Sequence, residues 1–218
     1  MLEYTTNLQY FAWAGYITCL LLVFRTLSYN SITQDRKIQH LVFGCAASVF
    51  FLWIFRTGIY PGLNVHFLWL TALLLILGFR WAMVSALLAL LGVTLIGKES
   101  WSMFGINGLL GVMVPLSLSY LVYSFAFHKL SRNVFVYIFV CAFLPGALMI
   151  AIKMYLLGGY FFIDNHYDWL TIKDNYLVLI SLLLFPEGML NGMTITLMII
   201  YKPHWVATFH DKFYIDKK

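Results

Sequence analysis

The sequence predicts an all-α membrane protein, a polytopic helical bundle that crosses the bilayer seven times. Three observations predict it: 62% of the 218 residues are hydrophobic, 11% are charged, and the mean hydropathy is +0.84. Soluble domains carry about 25% charged residues and far fewer long apolar runs. No stretch is polar enough to form a separate soluble domain, so residues 1–218 are predicted to form a single integral membrane domain.

Seven apolar runs define the predicted spans, and charged residues or glycines separate them. A span needs about 20 apolar residues to cross the hydrocarbon, and slightly shorter runs can cross inside a bundle. The third and fourth spans are expected to meet in a tight turn at Arg80. The predicted spans lie near residues 10–24, 41–55, 63–79, 81–96, 104–127, 134–157 and 176–200.

The basic residues predict the orientation, because positive loops resist translocation across the membrane. Of the fourteen Lys and Arg residues, ten fall in segments on one side of the predicted bundle. Three others, Arg56, Lys98 and Lys173, fall on the opposite side. The first side is therefore predicted to be cytoplasmic, which places the N-terminus outside and the C-terminus in the cytoplasm. The basic residues are scattered over short loops, a pattern that does not indicate nucleic-acid binding.

An acid in the last predicted span is the first candidate for function. Glu187 lies near the middle of an apolar run, where an ionised, unpaired carboxylate costs roughly 3 kcal/mol or more. Asn191 is four residues further on and shares a helical face with Glu187. This polar face either lines a substrate pathway or forms a structural latch, in which Glu187 is protonated or meets Lys153. The sequence alone leaves both interpretations open.

His66 is a candidate metal ligand at the outer start of the third predicted span, and no other histidine lies within a span. A neutral imidazole suits nickel, cobalt, copper or zinc. Asn64 would supply a carbonyl oxygen beside it or orient the ring through a hydrogen bond. The alternative is a histidine that bonds a neighbouring helix near the membrane interface.

Asn107 is a candidate for the lining of a vestibule that it would share with His66. It stands between Gly105 and Gly108 near the outer end of the fifth predicted span, where small neighbours let another segment pass close to the backbone. An interhelical hydrogen bond, worth on average about 0.6 kcal/mol in membranes, explains the residue equally well.

The sequence contains no P-loop, HExxH, GxSxG or Ser/His/Asp arrangement. The three cysteines lie in apolar runs without CxxC spacing. We therefore expect that the chain is not an enzyme and that no cofactor is permanently bound. Any source of energy would have to be external to this chain.

Four segments together resemble the CbiM/NikM family, the substrate-binding membrane components of cobalt and nickel energy-coupling-factor ABC transporters. They are Gly-Leu-Asn-Val-His-Phe-Leu at residues 62–68, the Gly105 to Gly111 segment, Phe-Pro-Glu-Gly-Met-Leu-Asn-Gly-Met at 185–193, and the tail at 201–209. The tail resembles a proteobacterial branch of this family. The resemblance implies a transported cobalt or nickel ion, a membrane coupling protein and ATPases as partners, and a multi-pass location in the bacterial inner membrane.

The chain departs from the family at its start. In the family, the metal is held by the N-terminal amine, a histidine at position two, and a histidine that His66 would match. Here position two is Leu2. The resemblance therefore implies a metal site of His66, Asn64 and the Met1 amine, without the second histidine. The alternative is a non-transporting membrane scaffold or assembly subunit that keeps the fold without the metal site.

Overall fold

The computed structural model describes residues 6–27, 34–210 and 214, and the regular secondary structure in this part of the chain is helical apart from one isolated β-bridge, Thr57 with Val65. Six of its helices are long and apolar enough to cross a membrane. The prediction of an all-α fold is thus confirmed. We number these helices α1 (Asn7–Arg25), α2 (Arg36–Ile54), α3 (Leu70–Leu95), α4 (Trp101–Lys129), α5 (Val134–Ile163) and α6 (Trp169–Tyr201).

Three of the six helices, α4, α5 and α6, contain 3₁₀ or π-helical segments as well as α-helix. α4 starts with a 3₁₀ turn, Trp101–Met103, and α6 with the short helix Trp169–Asn175 and a 3₁₀ turn before Ile180–Tyr201. Within α4 and α5, the π-helical segments Asn107–Met113 and Tyr137–Phe143 each end two residues before a proline. A proline ring clashes with the carbonyl four residues earlier, and in both helices that carbonyl lies in the wider π turn.

Large apolar side chains point outward from all six helices. Soluble monomers rarely leave such extensive apolar surface in water. These side chains therefore form the surface that faces the lipid, while the buried polar residues face protein. Examples of the exposed residues are Phe11, Phe51, Leu95, Phe125, Phe135 and Leu182.

The third predicted span is a helix only in its second half. Residues 63–69 are non-helical, and α3 begins at Leu70 after Trp69, which adopts a left-handed conformation (φ 55°, ψ 17°). The expectation of a helix over 63–79 was therefore wrong for its first seven residues. Hydropathy detects burial, and a buried extended segment is as apolar as a helix. Its backbone N–H groups need other partners, and Glu187 of α6 accepts from two of them, those of Leu68 and Trp69.

The chain folds back within α3, at Gly78 rather than at the predicted Arg80. Gly78 has φ 74° and ψ 163°, a conformation that is open to glycine and strained for other residues. His66 and Leu90, each twelve residues from Gly78, line the same cavity. The segments before and after Gly78 therefore run in opposite directions.

The break at Gly78 leaves a short helix, residues 70–77, in the first part of α3. The C-terminal tail hydrogen-bonds the last carbonyls of this helix. The N–H of Ala207 donates to the carbonyl of Ile76 at 2.9 Å, and the N–H of Thr208 donates to that of Leu75 at 3.3 Å. The Thr208 hydroxyl also donates to the Leu75 carbonyl at 2.8 Å and lies 2.6 Å from the Tyr137 hydroxyl. These bonds satisfy carbonyls that the break at Gly78 leaves without a helical partner.

Close packing of α1 on α4 depends on glycine. A Cβ at Gly105 would lie 2.6 Å from the backbone nitrogen of Trp13, and one at Gly108 would lie 2.3 Å from the ring of Tyr16. The prediction that small residues here admit another segment is confirmed. This contact fixes the start of the π segment that carries Asn107.

Candidate functional site

A small polar cavity lies between α2, α3, α4 and α5. Its volume of about 20 Å³ is enough for one water-sized molecule or ion. Polar and charged side chains form much of its wall, although the surrounding bundle is apolar. The lining residues are Trp53, Arg56, His66, Leu90, Glu99, Asn107, Gly111, Val112 and Lys153.

His66 enters this cavity from the extended segment before α3. Its Nδ1 lies 3.0 Å from the carbonyl oxygen of Phe67, which can only accept, so Nδ1 carries the proton. Nε2 then holds the lone pair, the atom that would bind a metal. The Trp53 ring packs beside the imidazole, with ring centroids 5.4 Å apart. His66 is thus oriented by contacts on two sides.

The Nε2 lone pair of His66 is directed at the ammonium of Lys153. The Nζ of Lys153 lies 2.6 Å from Nε2 and donates to it. Lys153, on α5, is 4% exposed and forms no salt bridge within the described part of the chain. The predicted alternative, a contact between Lys153 and Glu187, is wrong, because Glu187 is engaged elsewhere.

An ion pair beside the cavity joins the segment that follows α2 to the segment that follows α3. Arg56, which follows α2, pairs with Glu99, which follows α3, and the Arg56 Nε donates to the carbonyl of Trp53 at 2.9 Å. Both side chains are largely buried. Glu99 is therefore already paired within the cavity wall, where Lys153 has no carboxylate of its own.

Asn107 lines the same cavity as His66. Its Nδ2 is buried and has no hydrogen-bond partner among the described residues. A buried donor left unsatisfied costs about 1–3 kcal/mol, so this amide indicates a position where a polar ligand or a water molecule binds. The structure thus brings together Asn107, His66 and Lys153, although the sequence analysis had not foreseen the lysine.

Asn64 and Met1 are not part of the described cavity wall. Asn64 packs against Gly58, where an added Cβ would lie 2.5 Å from its Oδ1, and it is not among the residues that line the cavity. Met1 lies outside the described residues. Within the described ranges, no group of three His, Cys, Asp or Glu side chains is placed to hold a metal ion.

Glu187 and Asn191 form a second buried polar cluster, which we call the helix cap. Glu187 accepts from the backbone N–H groups of Leu68 at 2.9 Å and Trp69 at 2.7 Å. Asn191 accepts from the N–H of Ala72 at 2.8 Å and donates to Glu187 at 2.9 Å. The first N–H groups of a helix lack internal partners and attract negative charge. Two side chains of α6 thereby complete the start of α3.

The helix cap favours the latch interpretation over the pathway, with partners that the sequence analysis missed. Both residues are buried, at 1% and 0% exposed, and neither lines the cavity. The Nε1 of Trp69 donates to the Thr194 hydroxyl at 2.9 Å, which adds a third residue of α6 to the contact. Backbone partners carry no side-chain signature, so residue types alone could not have identified them.

The fold and the cavity define a multi-pass helical membrane protein with a small polar site between its helices. A solved structure described as a truncated transition metal transporter has the same fold, with a TM-score of 0.75 at 15% identity. That match covers 88% of this chain and 94% of the other. Among curated protein sequences, none matches.

The sequence profile of the CbiM family, described as the cobalt uptake substrate-specific transmembrane region, matches residues 5–205. The chain belongs to this family. Membership places it among membrane proteins of metal uptake, in agreement with the resemblance seen in the sequence.

Proposed function

We propose that this chain is the membrane substrate-capture component of an energy-coupling-factor transporter for a divalent transition-metal ion of the cobalt or nickel type. The observation that supports it is a histidine, His66, that faces a small polar cavity within the helical bundle of a CbiM family member. When the proton of an imidazole is fixed on Nδ1, its Nε2 is a good ligand for such ions. The metal is the cargo of the protein and is not a resident cofactor.

The proposed topology has seven crossings, with the N-terminus outside and the C-terminus in the cytoplasm of a bacterial inner membrane. The reversal at Gly78 supports the count, because it divides α3 into two antiparallel arms. The first arm combines the extended segment 63–69 with the short helix 70–77. The ten-to-three distribution of basic residues supports the orientation. His66 then faces the outer end of the bundle.

The proposed metal ligands are His66 and the Met1 amine. Asn107 would assist through its amide, which lines the cavity beside His66. Asn64, two residues before His66, would act indirectly, because it packs against Gly58 and so helps to position the segment that carries the imidazole. Two nitrogen ligands in place of three predict a weaker site than a second histidine would give.

The proposed partners are a membrane coupling protein and a pair of ATPases. The sequence has no nucleotide-binding motif, so the work of transport needs an external ATPase. The cytoplasmic loops and the basic tail are the surfaces that such partners would reach in the proposed topology.

Metal binding by purified protein tests the proposal. We expect the wild type to bind one nickel or cobalt ion per chain and His66→Ala to lose this binding. His128→Ala is the matched control, because His128 is exposed at the end of α4. Equal metal content in the wild type and His66→Ala, measured by elemental analysis, contradicts the proposed site.

The contact between Lys153 and His66 favours a second candidate, a membrane scaffold or assembly subunit. It satisfies the imidazole without any metal, and the family histidine at position two is replaced by Leu2. Affinity purification in mild detergent separates the two candidates. Recovery of ATPases supports transport, and stable recovery with another membrane complex, without ATPases, supports the scaffold.

A further inference from the structure

We propose that Lys153 is a tethered cation that occupies the metal position on His66, so that a metal ion binds only by displacing it. This inference rests on the proposed function. It adds a competitor within the chain itself, which sets the affinity of the site.

The geometry makes the two cations mutually exclusive. The Nζ of Lys153 lies 2.6 Å from Nε2 of His66, along the direction of the one lone pair. A metal bound to an imidazole stands about 2.0–2.1 Å from the nitrogen. The other ring nitrogen is bonded to the Phe67 carbonyl and offers no second site. The ammonium and the metal therefore compete for one atom.

Charge also opposes joint occupancy. The carboxylate in the cavity wall, Glu99, is paired with Arg56, and Glu187 is held by the backbone N–H groups of the two residues just before α3. A divalent ion entering beside protonated Lys153 would meet a buried positive charge without a nearby free anion among the described residues. Like charges at contact distance repel strongly in a low-dielectric interior. Metal entry thus requires the ammonium to move away from Nε2.

Space for that movement lies on the α4 side. A Cβ at Gly111 would lie 3.7 Å from the Lys153 Cε, so the absence of a side chain leaves the lysine stem unobstructed there. Lysine carries its charge on a flexible four-carbon stem, which permits a swing of the ammonium without movement of the helix. In the unloaded state, the same ammonium keeps the buried imidazole hydrogen-bonded.

The test is nickel binding by the full chain in detergent, measured by isothermal titration calorimetry. Lys153→Met keeps the length and apolar character of the stem and removes the charge. We expect its dissociation constant for nickel to fall at least tenfold, and the double variant with His66→Ala to lose binding. Lys129→Met, an exposed lysine of α4, is the matched control and should bind as the wild type does.

The outcomes separate this inference from the proposed function. Equal nickel affinity in the wild type and Lys153→Met overturns the inference and leaves metal capture intact. Binding by Lys153→Met alone supports the inference and contradicts metal capture by the native chain. Absence of binding in both overturns both. If Lys153→Met fails to fold, Lys153→Gln replaces it, and an affinity no higher than that of the wild type overturns the inference.

Discussion

The helix cap and the cavity are two polar clusters buried in the same apolar bundle, and they differ in how well their groups are satisfied. In the cap, Glu187 and Asn191 bond three backbone N–H groups and each other. In the cavity, the Asn107 amide nitrogen has no hydrogen-bond partner among the described residues. Within the same part of the chain, Lys153 donates a side-chain hydrogen bond only to Nε2 of His66. A cluster whose polar groups are all hydrogen-bonded indicates a structural role. A cluster with an unsatisfied polar group indicates a site where a ligand binds.

Removal of the cap should have the largest effect on stability. Glu187→Ala leaves the N–H groups of Leu68 and Trp69 buried without an acceptor, at a cost of about 1–3 kcal/mol each. We therefore expect a loss of about 3–5 kcal/mol in the free energy of unfolding, measured by denaturant titration in detergent. Met193→Ala, an exposed change on the same helix, is the control. Unchanged stability combined with lost metal binding would make Glu187 a pathway residue.

The other end of the short helix 70–77 should be less sensitive. Thr208→Val removes the hydroxyl bonds to the Leu75 carbonyl and Tyr137, and keeps the backbone N–H that also reaches Leu75. A net loss of about 1–2 kcal/mol in the free energy of unfolding is expected. Thr18→Val, whose exposed hydroxyl bonds only within its own helix, should change stability less. Equal losses in the two variants would show that the tail does not hold this helix.

The cavity should give the smallest effect on stability. Asn107→Leu removes a donor that already lacks a partner, so we expect the free energy of unfolding to stay the same or to rise by about 1 kcal/mol, the lower end of the penalty for an unsatisfied donor. The same variant should weaken nickel binding, because an apolar side chain then faces the ligand. A loss of several kcal/mol in thermal unfolding would instead assign Asn107 to the interhelical bond that the sequence analysis also considered.

The sequence predicted those parts of the structure that depend on burial and residue size. The long apolar runs identified the helices, and Gly105 and Gly108 indicated the close approach of another segment. The shared face of Glu187 and Asn191 identified a polar contact, because two polar residues four apart in an apolar helix must meet something other than lipid.

The remaining features depend on distant parts of the chain. Residues 63–69 are apolar enough for a helix, yet the N–H groups of Leu68 and Trp69 bond Glu187 of α6, more than a hundred residues away. Lys153 was recognised as unusual within a span, but the choice of His66 over Glu187 as its partner is a matter of tertiary geometry. Residue types alone do not specify such pairings.

The short helix before Gly78 has consequences for biogenesis. Its cap bonds come from residues 119 positions later along the chain, and its tail bonds from 133 positions later. A ribosome delivers this segment to the membrane long before either partner exists. The complete set of hydrogen bonds at both ends of this segment therefore forms only after synthesis has passed Thr208.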